Sequence, residues 1–194
     1  MKIYGDMRSG NCLKVKYVSD YLGIPYDWQE VDVMSRYTRS AEFLALNPAG
    51  QIPLVQFADG RLLSQSNAIM LYLARGSDLS FDDPWQTAKV NEWLFWEQYS
   101  HEPSIAVVRF MRALKKVPED EVPAVLVAKG NAALDLMETH LRARVFFVGD
   151  RLSIADVALL AYTQFAGDGG FSLETRPQIT AWIERTRAAL GQPA

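Results

Sequence analysis

The strongest constraint on the fold of this chain is a change of pattern at residues 77–84 (SDLSFDDP). Before this segment, short strand-like runs alternate with helix-like runs, and after it every periodic run is helical. The segment itself is acidic and rich in turn residues, which is typical of a connection between domains. We therefore predict an α/β domain over residues 1–78, a linker at 79–84 and an all-α helical domain over 85–194.

The first domain has the predicted order βαβ, then helix, ββ and helix. Strands are predicted at Lys2–Tyr4, Asp27–Val33, Leu54–Phe57 and Arg61–Leu63. Helices are predicted at Gly10–Leu22, Thr38–Leu46 and Ser66–Arg75. Asp59-Gly60, between the last two strands, is the strongest hairpin signal in the chain.

Prolines and a capping motif organise the second domain. Pro84 occupies a favoured first helical position and opens an aromatic-rich helix. Pro103 is expected to kink that helix or divide it. Ser153 and Asp156 have the spacing of a capping box before an apolar helix, and we assign both residues to folding.

Composition excludes several classes of function. A formal net charge of −3 argues against a nucleic-acid-binding surface. No apolar run approaches the roughly 20 residues of a membrane span, and the N-terminus has no secretion signal. Cys12 is the single cysteine, so no intrachain disulfide can form. We expect a protein of the reducing cytoplasm, without a membrane or a nucleic acid as partner.

The motifs that are missing narrow the chemistry. The two histidines, His101 and His140, show no metal-binding spacing with Cys12, so we expect no metal site. There is no P-loop, no GxGxxG and no GxSxG. The reacting group is therefore expected to arrive with a bound ligand.

Five motifs together resemble the cytosolic glutathione transferase superfamily over essentially the whole chain. They are SGNCLK at 9–14, NPAGQIP at 47–53, the Asp59-Gly60 hairpin, SQSNAIMLYLA at 64–74 and LSIADVALL at 152–160. The segment EQYSHEP at 97–103 resembles a bacterial branch related to the theta and nu classes. The resemblance implies a thioredoxin-like first domain and a helical-bundle second domain.

The resemblance implies catalytic roles for Ser9 and Asn11. SGNC occupies the place of the CxxC motif of thioredoxin-like folds, so Ser9 replaces the attacking cysteine and bound glutathione supplies the sulfur. Asn11 is the second candidate donor to the thiolate. The alternatives are an N-cap for Ser9 and a solvated first-turn residue for Asn11. Cys12, in the second position of the motif, is expected to be a small inert core residue.

The family pattern also implies a glutathione-binding set. A cis Ile52–Pro53 bond would expose the backbone of Ile52 to the cysteinyl amides of the ligand. Gln51 would contact the glycine end of glutathione. Arg39 matches a cation that binds the glycine carboxylate in theta-like members, although an exposed arginine is more often only solvated.

The Gln65-Ser66 pair matches the family's acidic-residue–serine pair at a helix start. Ser66 is predicted to be the N-cap and to bind the γ-glutamyl carboxylate, with plain capping as the alternative. Gln65 replaces the usual glutamate, so its contact with the ammonium of the ligand loses the charge-assisted part.

Four residues of the second domain are predicted to line the pocket for the acceptor substrate: Tyr99, His101, Glu102 and Arg109. Glu102 and Arg109 are seven residues apart and share a helix face, so a structural ion pair is the simpler alternative.

These features predict a homodimeric glutathione transferase that adds the thiolate to a hydrophobic electrophile and needs no cofactor besides glutathione. The first alternative is a glutathione-dependent disulfide reductase or peroxidase. The second is a non-catalytic regulatory or binding protein that retains the fold.

Overall fold

The computed structural model describes residues 1–192, in which the chain divides into two compact units, Met1–Ser77 and a second that begins at Asp78. The first contains a four-stranded sheet with helices, and the described part of the second contains only helices and turns. This is the predicted thioredoxin-like and all-α fold class. Leu79 lies in the predicted linker but is fully buried, and its carbonyl accepts a hydrogen bond from Ile154 N (3.2 Å) within the second unit.

The sheet has a mixed topology. Its strands are β1 (Lys2–Gly5), β2 (Asp27–Glu30), β3 (Leu54–Gln56) and β4 (Leu62–Ser64), in the spatial order β2-β1-β3-β4. β1 is parallel to β2 and antiparallel to β3, and β3 is antiparallel to β4. The second strand was predicted to reach Val33, but it ends at Glu30. Val31 N makes a last hydrogen bond to Gly5 O (2.8 Å), where the partner strand ends.

The predicted hairpin joins β3 to β4. Phe57 N donates to Arg61 O (2.9 Å), and Gly60 N donates to Phe57 O (3.0 Å). Gly60 has a φ of 85°, which a residue with a side chain rarely adopts. The Asp59-Gly60 signal is therefore confirmed.

Helices cover both faces of the sheet. They are α1 (Gly10–Tyr21), α2 (Ala41–Leu46) and α3 (Ser66–Leu73). Val15 of α1 and Ile69 of α3 belong to one buried cluster, and Phe43 of α2 belongs to another. The helix predicted over 38–46 is divided, because Ser40 is extended and its side chain accepts a capping hydrogen bond from Phe43 N.

The second unit has five α-helices among its described residues. They are α4 (Pro84–Trp96), α5 (Glu102–Arg109), α6 (Ala124–Leu141), α7 (Ile154–Thr163) and α8 (Pro177–Ala189). A π-helical segment, Glu97–His101, joins α4 to α5 without a break. The expected disturbance at Pro103 thus takes the form of a wider turn directly before the proline. The capping box of Ser153 and Asp156 is present at the start of α7.

Within residues 1–192, no helix is long and apolar enough to cross a membrane. The same residues contain no group of three or more His, Cys, Asp or Glu side chains that is placed to hold a metal ion.

Candidate active site

Three chain segments of the first unit meet at the same edge of the sheet, where strands β1 and β4 end and β3 begins. Tyr4 of β1 pairs with Leu54 of β3, which pairs in turn with Ser64 of β4. Because β3 is antiparallel to both neighbours, the loop after β1, the segment before β3 and the segment after β4 meet at this edge. These segments carry most of the predicted residues of the first unit, namely Ser9, Asn11, Gln51, Ile52, Pro53, Gln65 and Ser66.

Asp6, which is almost fully buried, holds the loop between β1 and α1. Its carboxylate accepts hydrogen bonds from the backbone N–H groups of Arg8 (2.8 Å) and Val33 (2.9 Å) and from Arg8 Nη2 (2.6 Å). Arg8 also pairs with Asp32. Burial opposes ionisation of Asp6, but the hydrogen bonds from Arg8 and Val33 hold its pKa below the usual value. The loop directly before Ser9 is therefore held in place by the ion pair and the hydrogen bonds of Asp6.

Ser9 is the N-cap residue of α1, but its side chain makes no capping hydrogen bond. Its backbone carbonyl accepts from the N–H groups of Cys12 and Leu13, both at 3.0 Å. Its hydroxyl lies within hydrogen-bonding reach of the Cys12 thiol. Capping alone thus does not account for a serine here.

Cys12 is fully buried on the inner side of α1. Burial raises the pKa of its thiol to about 11, although hydrogen bonds from the Ser9 side chain and the Asp6 backbone act in the opposite direction. A thiol with this pKa carries almost no thiolate at neutral pH. Its position supports the expectation of an inert core residue.

Asn11 connects α1 with the start of α3. Its Oδ1 accepts hydrogen bonds from Ser66 Oγ (3.1 Å) and from Lys14 Nζ (2.9 Å), and Lys14 also reaches Asn67 Oδ1 (3.4 Å). Asn11 and Ser66 are therefore in direct contact. Lys14 is fully buried, and sequence reasoning missed it. Its spacing could have indicated this burial, because Lys14 lies four residues before Val18 and therefore on the buried face of α1. It also lies three residues after Asn11.

The start of α3 differs from the prediction. Gln65, not Ser66, is the N-cap residue, and Ser66 is the first helical residue. Gln65 has a φ of 70° and a ψ of 109°, a strained backbone for a residue with a side chain. The first N–H groups of a helix have no intrahelical acceptor, so an anion can bind at this end.

Asn47 shapes the segment before β3. Its Nδ2 donates to Gln51 O (2.7 Å), and its Oδ1 accepts from Ala49 N (3.2 Å). The Ile52–Pro53 peptide bond is cis, as predicted. Asn47 thus fixes the chain that leads into the cis peptide, a role that the sequence indicated only through the NPAGQIP motif.

Arg39 lies beside this same segment. Its Nη1 donates to Ala49 O (3.2 Å). Gly50 has a φ of 59°, and a Cβ built on it would lie 2.7 Å from Arg39 Nη1. A side chain at position 50 would therefore displace Arg39, whose guanidinium lies beside the backbone of residues 49–50, directly before Gln51 in the chain.

Tyr99 and His101 have opposite environments in the second unit. Tyr99 is 87% exposed and lines a pocket of about 340 Å³ together with Trp96 and Leu136. His101 is fully buried, and its Nε2 lies 2.9 Å from Thr163 Oγ1. His101 is not among the residues that line this pocket, and its role in an acceptor pocket stays a prediction.

Arg109 forms an ion pair with Asp168 (3.2 Å) and lies over the ring of Phe165 at 4.7 Å. The ion pair with Asp168 was not predicted. Glu102 is half-buried at the start of α5. Neither Arg109 nor Glu102 lines the 340 Å³ pocket with Tyr99.

A larger pocket of about 950 Å³ lies between α4 and α6 and shares Trp96 and Leu136 with the smaller one. Its wall is rich in aromatic side chains, including Trp85, Trp93, Trp96, His140 and Phe147. None of the four predicted acceptor residues belongs to its lining. Sequence reasoning therefore missed this apolar pocket, because its wall joins two helices that are far apart in sequence.

Comparison with known proteins identifies the family. Residues 8–75 match the glutathione S-transferase N-terminal domain, and residues 98–189 match the glutathione S-transferase C-terminal domain. A glutathione S-transferase from Pseudomonas fluorescens has a similar crystal structure (TM-score 0.94) and 46% sequence identity, with 96% of this chain and 94% of that chain covered. The chain belongs to the cytosolic glutathione transferase family.

Two further relatives show the breadth of this family. This chain is 28% identical to glutathione S-transferase theta-2 of Mus musculus, over 98% of this chain and 82% of the relative. It is 25% identical to a maleylacetoacetate isomerase from Methylobacterium extorquens that was solved with bound malonate and GSH. That comparison has a TM-score of 0.83 and covers 100% of both chains.

Proposed function

We propose that this glutathione transferase binds reduced glutathione in its first unit, stabilises the thiolate and adds the sulfur to an electrophilic carbon of a hydrophobic substrate. The observation that carries the proposal is the meeting of three segments at one sheet edge, with Asn11 of the first segment bonded to Ser66 of the third (3.1 Å). The related isomerase solved with GSH supports the choice of ligand.

Each part of glutathione has a matching partner in this proposal. The cysteinyl amides pair with the backbone of Ile52, as one added strand. The γ-glutamyl carboxylate binds at the N-terminus of α3, at Ser66, and the Gln65 amide accepts from the ligand's ammonium. Arg39 and Gln51 bind the glycine end.

In the proposed reaction, the thiol proton leaves to solvent. The Ser9 hydroxyl turns from the Cys12 thiol toward the ligand, and it and Asn11 Nδ2 donate to the thiolate. The sulfur lone pair then forms the bond to carbon, and a leaving group such as halide departs with its electron pair. Lowering a thiol pKa by about two units corresponds to about 2.7 kcal/mol. Hydrogen bonds to a charged group contribute about 1.5–3 kcal/mol each, so two of them suffice without a protein base.

The test compares Ser9→Ala and Asn11→Ala with the unmodified enzyme. Each variant should raise the pKa of the bound thiol, followed by thiolate absorbance, and slow conjugation of an aryl halide about 10–100-fold at neutral pH. The deficit should shrink above the pKa of the free thiol, because the thiolate then forms unaided. Glutathione affinity, measured by calorimetry, should change little.

Three outcomes would change this assignment. Absence of binding at several millimolar glutathione contradicts the whole proposal. A pH-dependent loss in Asn11→Ala alone makes Asn11 the main donor in place of Ser9. If neither variant alters the thiol pKa, only backbone groups and the helix end stabilise the thiolate.

A glutathione-dependent disulfide reductase or peroxidase is the second candidate, in which the thiolate of glutathione replaces the first cysteine of a CxxC motif at Ser9 and the buried Cys12 takes no part. The same thiolate would attack a disulfide sulfur and release the other sulfur as a thiolate. Turnover of a mixed disulfide with none of the aryl halide would select this candidate. Binding of glutathione without turnover of either would indicate a binding protein.

We also propose that the enzyme is a homodimer. Trp85, Phe95 and Tyr99 on the first helical stretch of the second unit are 73%, 75% and 87% exposed. Exposed apolar side chains mark an interaction site when they belong to one surface patch, and we propose that these three side chains do. A second copy of the chain is the occupant that we propose for this surface.

A further inference from the structure

Lys14 is the fully buried cation of the Asn11–Ser66 contact. Its Nζ lies 2.9 Å from Asn11 Oδ1 and 3.4 Å from Asn67 Oδ1. An ammonium group has only donors, so the Asn11 atom that faces it must be the carbonyl oxygen. Ser66 Oγ donates to the same oxygen at 3.1 Å. Two donors therefore determine the orientation of the Asn11 amide.

This orientation decides what Asn11 can offer a ligand. With Oδ1 turned toward Lys14 and Ser66, Nδ2 and its two N–H donors point the other way. We infer that Lys14 is a positioning residue, which locks the Asn11 amide with its donors toward the sulfur of glutathione. The inference rests on the proposed function, in which Asn11 donates to the thiolate.

Ser66 alone does not secure the amide once glutathione is bound. Its hydroxyl has a single proton, and in the proposed complex that proton is donated to the γ-glutamyl carboxylate. Asn11 Oδ1 then loses one of its two donors. Lys14 has three N–H donors and does not need to leave Asn11 when the ligand enters, so it maintains the orientation in the occupied site.

Lys14→Met tests the inference, because methionine is unbranched and suits a buried position. At saturating glutathione, the pKa of the bound thiol should rise by about one unit, with about tenfold slower conjugation at neutral pH. The affinity for glutathione should change less than about threefold. Lys16→Met is the matched control, since Lys16 lies on the same helix, pairs with Asp20 (2.6 Å) and has a 28% exposed side chain. It should leave the thiol pKa unchanged.

A double variant separates positioning from direct electrostatics. If Lys14 acts through Asn11, Lys14→Met should add nothing to the thiol pKa in an Asn11→Ala background. An equal further rise there would overturn the inference, because the ammonium would then act on the sulfur directly. If Lys14→Met proves unfolded by circular dichroism, Lys14→Gln, whose amide still donates to Asn11, should keep the thiol pKa within about half a unit of the unmodified enzyme.

The single variants distinguish failure of this inference from failure of the proposed function. If Asn11→Ala raises the thiol pKa but Lys14→Met does not, the inference is wrong and the proposed role of Asn11 stands. If Asn11→Ala itself leaves the pKa unchanged, the proposed role of Asn11 fails and the inference fails with it.

Discussion

Two charged side chains of the first unit, Asp6 and Lys14, are almost completely excluded from water, at 1% and 0% exposure. Burial of a charge is unfavourable unless hydrogen bonds compensate it, and both side chains have such bonds. Asp6 fixes the loop that leads to Ser9, and Lys14 contacts the amide of Asn11. Both buried charges therefore support a residue that we propose to contact the ligand.

Cys12 is expected to resist alkylation in the folded protein. With a pKa of about 11 it has a thiolate fraction at pH 7.5 that is about 300-fold below that of a free cysteine, and burial slows the reaction further. The rate of modification by iodoacetamide, followed by mass spectrometry, should rise about tenfold per pH unit up to pH 11 while the fold holds.

The control for this experiment is the same protein in denaturant, where Cys12 should react as a free cysteine does. Rapid labelling of the native protein at pH 7.5 would show that Cys12 is an accessible, activated thiol. Its assignment as a core residue would then be wrong.

At the scale of elements, the order of strands and helices could be predicted from the sequence, but the residues at which several elements begin or end could not. The helix predicted over 38–46 is interrupted, because the Ser40 side chain competes for the backbone N–H of Phe43. Ser66 begins α3 as predicted, yet the N-cap falls on Gln65, whose positive φ no sequence pattern indicated. Lys14 was missed because a lysine on an amphipathic helix ordinarily faces water.

Substitution of Asp156 is expected to destabilise the second unit strongly, because this buried carboxyl group accepts several hydrogen bonds. Its carboxyl oxygens accept hydrogen bonds from Phe147 N (2.9 Å), Trp182 Nε1 (3.0 Å) and both the backbone N (3.1 Å) and Oγ (2.9 Å) of Ser153. Asp156→Ala leaves these buried donors without an acceptor, so the free energy of unfolding should fall by about 3–5 kcal/mol. Urea denaturation followed by circular dichroism measures this loss.

Ser153→Ala is the comparison, because it removes one of these four donors and should cost only about 1 kcal/mol. Asp156 links three places: the start of α7, Trp182 of α8 and Phe147 in the segment before α7. An equal loss of unfolding free energy in the two variants would contradict this role.

At the scale of the whole molecule, the two-part architecture was readable from the change of pattern near residue 77, whereas long-range contacts were not. Arg109 pairs with Asp168, 59 residues away, and no local motif predicts such a partner. The wall of the larger pocket likewise combines two helices that are distant in sequence, α4 and α6, and no local motif predicts that they pack together. Helical periodicity predicts that a face is apolar, but the helix that packs against it depends on the complete fold.

The proposed homodimer makes a prediction for the assembled molecule. Sedimentation equilibrium of the unmodified chain should give twice its mass of 21.8 kDa. Trp85→Glu should shift the equilibrium toward the monomer, because it places a charge on a 73% exposed aromatic position at the rim of the larger pocket. The substitution should not impair folding, since the side chain contributes little to the core.

Val125→Glu is a suitable control, because Val125 is 59% exposed in the same unit but lines neither of the two pockets. Dissociation by Val125→Glu and not by Trp85→Glu would move the proposed interface to the start of α6. A monomer for the unmodified chain would refute the dimer.

The antiparallel course of β3 also places its two ends in different surroundings. Its first residue, Leu54, lies at the edge where the proposed ligand contacts meet, whereas its last, Gln56, leads to the exposed tip at Ala58–Gly60. Exposed loop tips tolerate inserted residues well. The hairpin tip can therefore be lengthened, and even acquire new surface properties, without moving the backbone of Ile52, which precedes the other end of the strand.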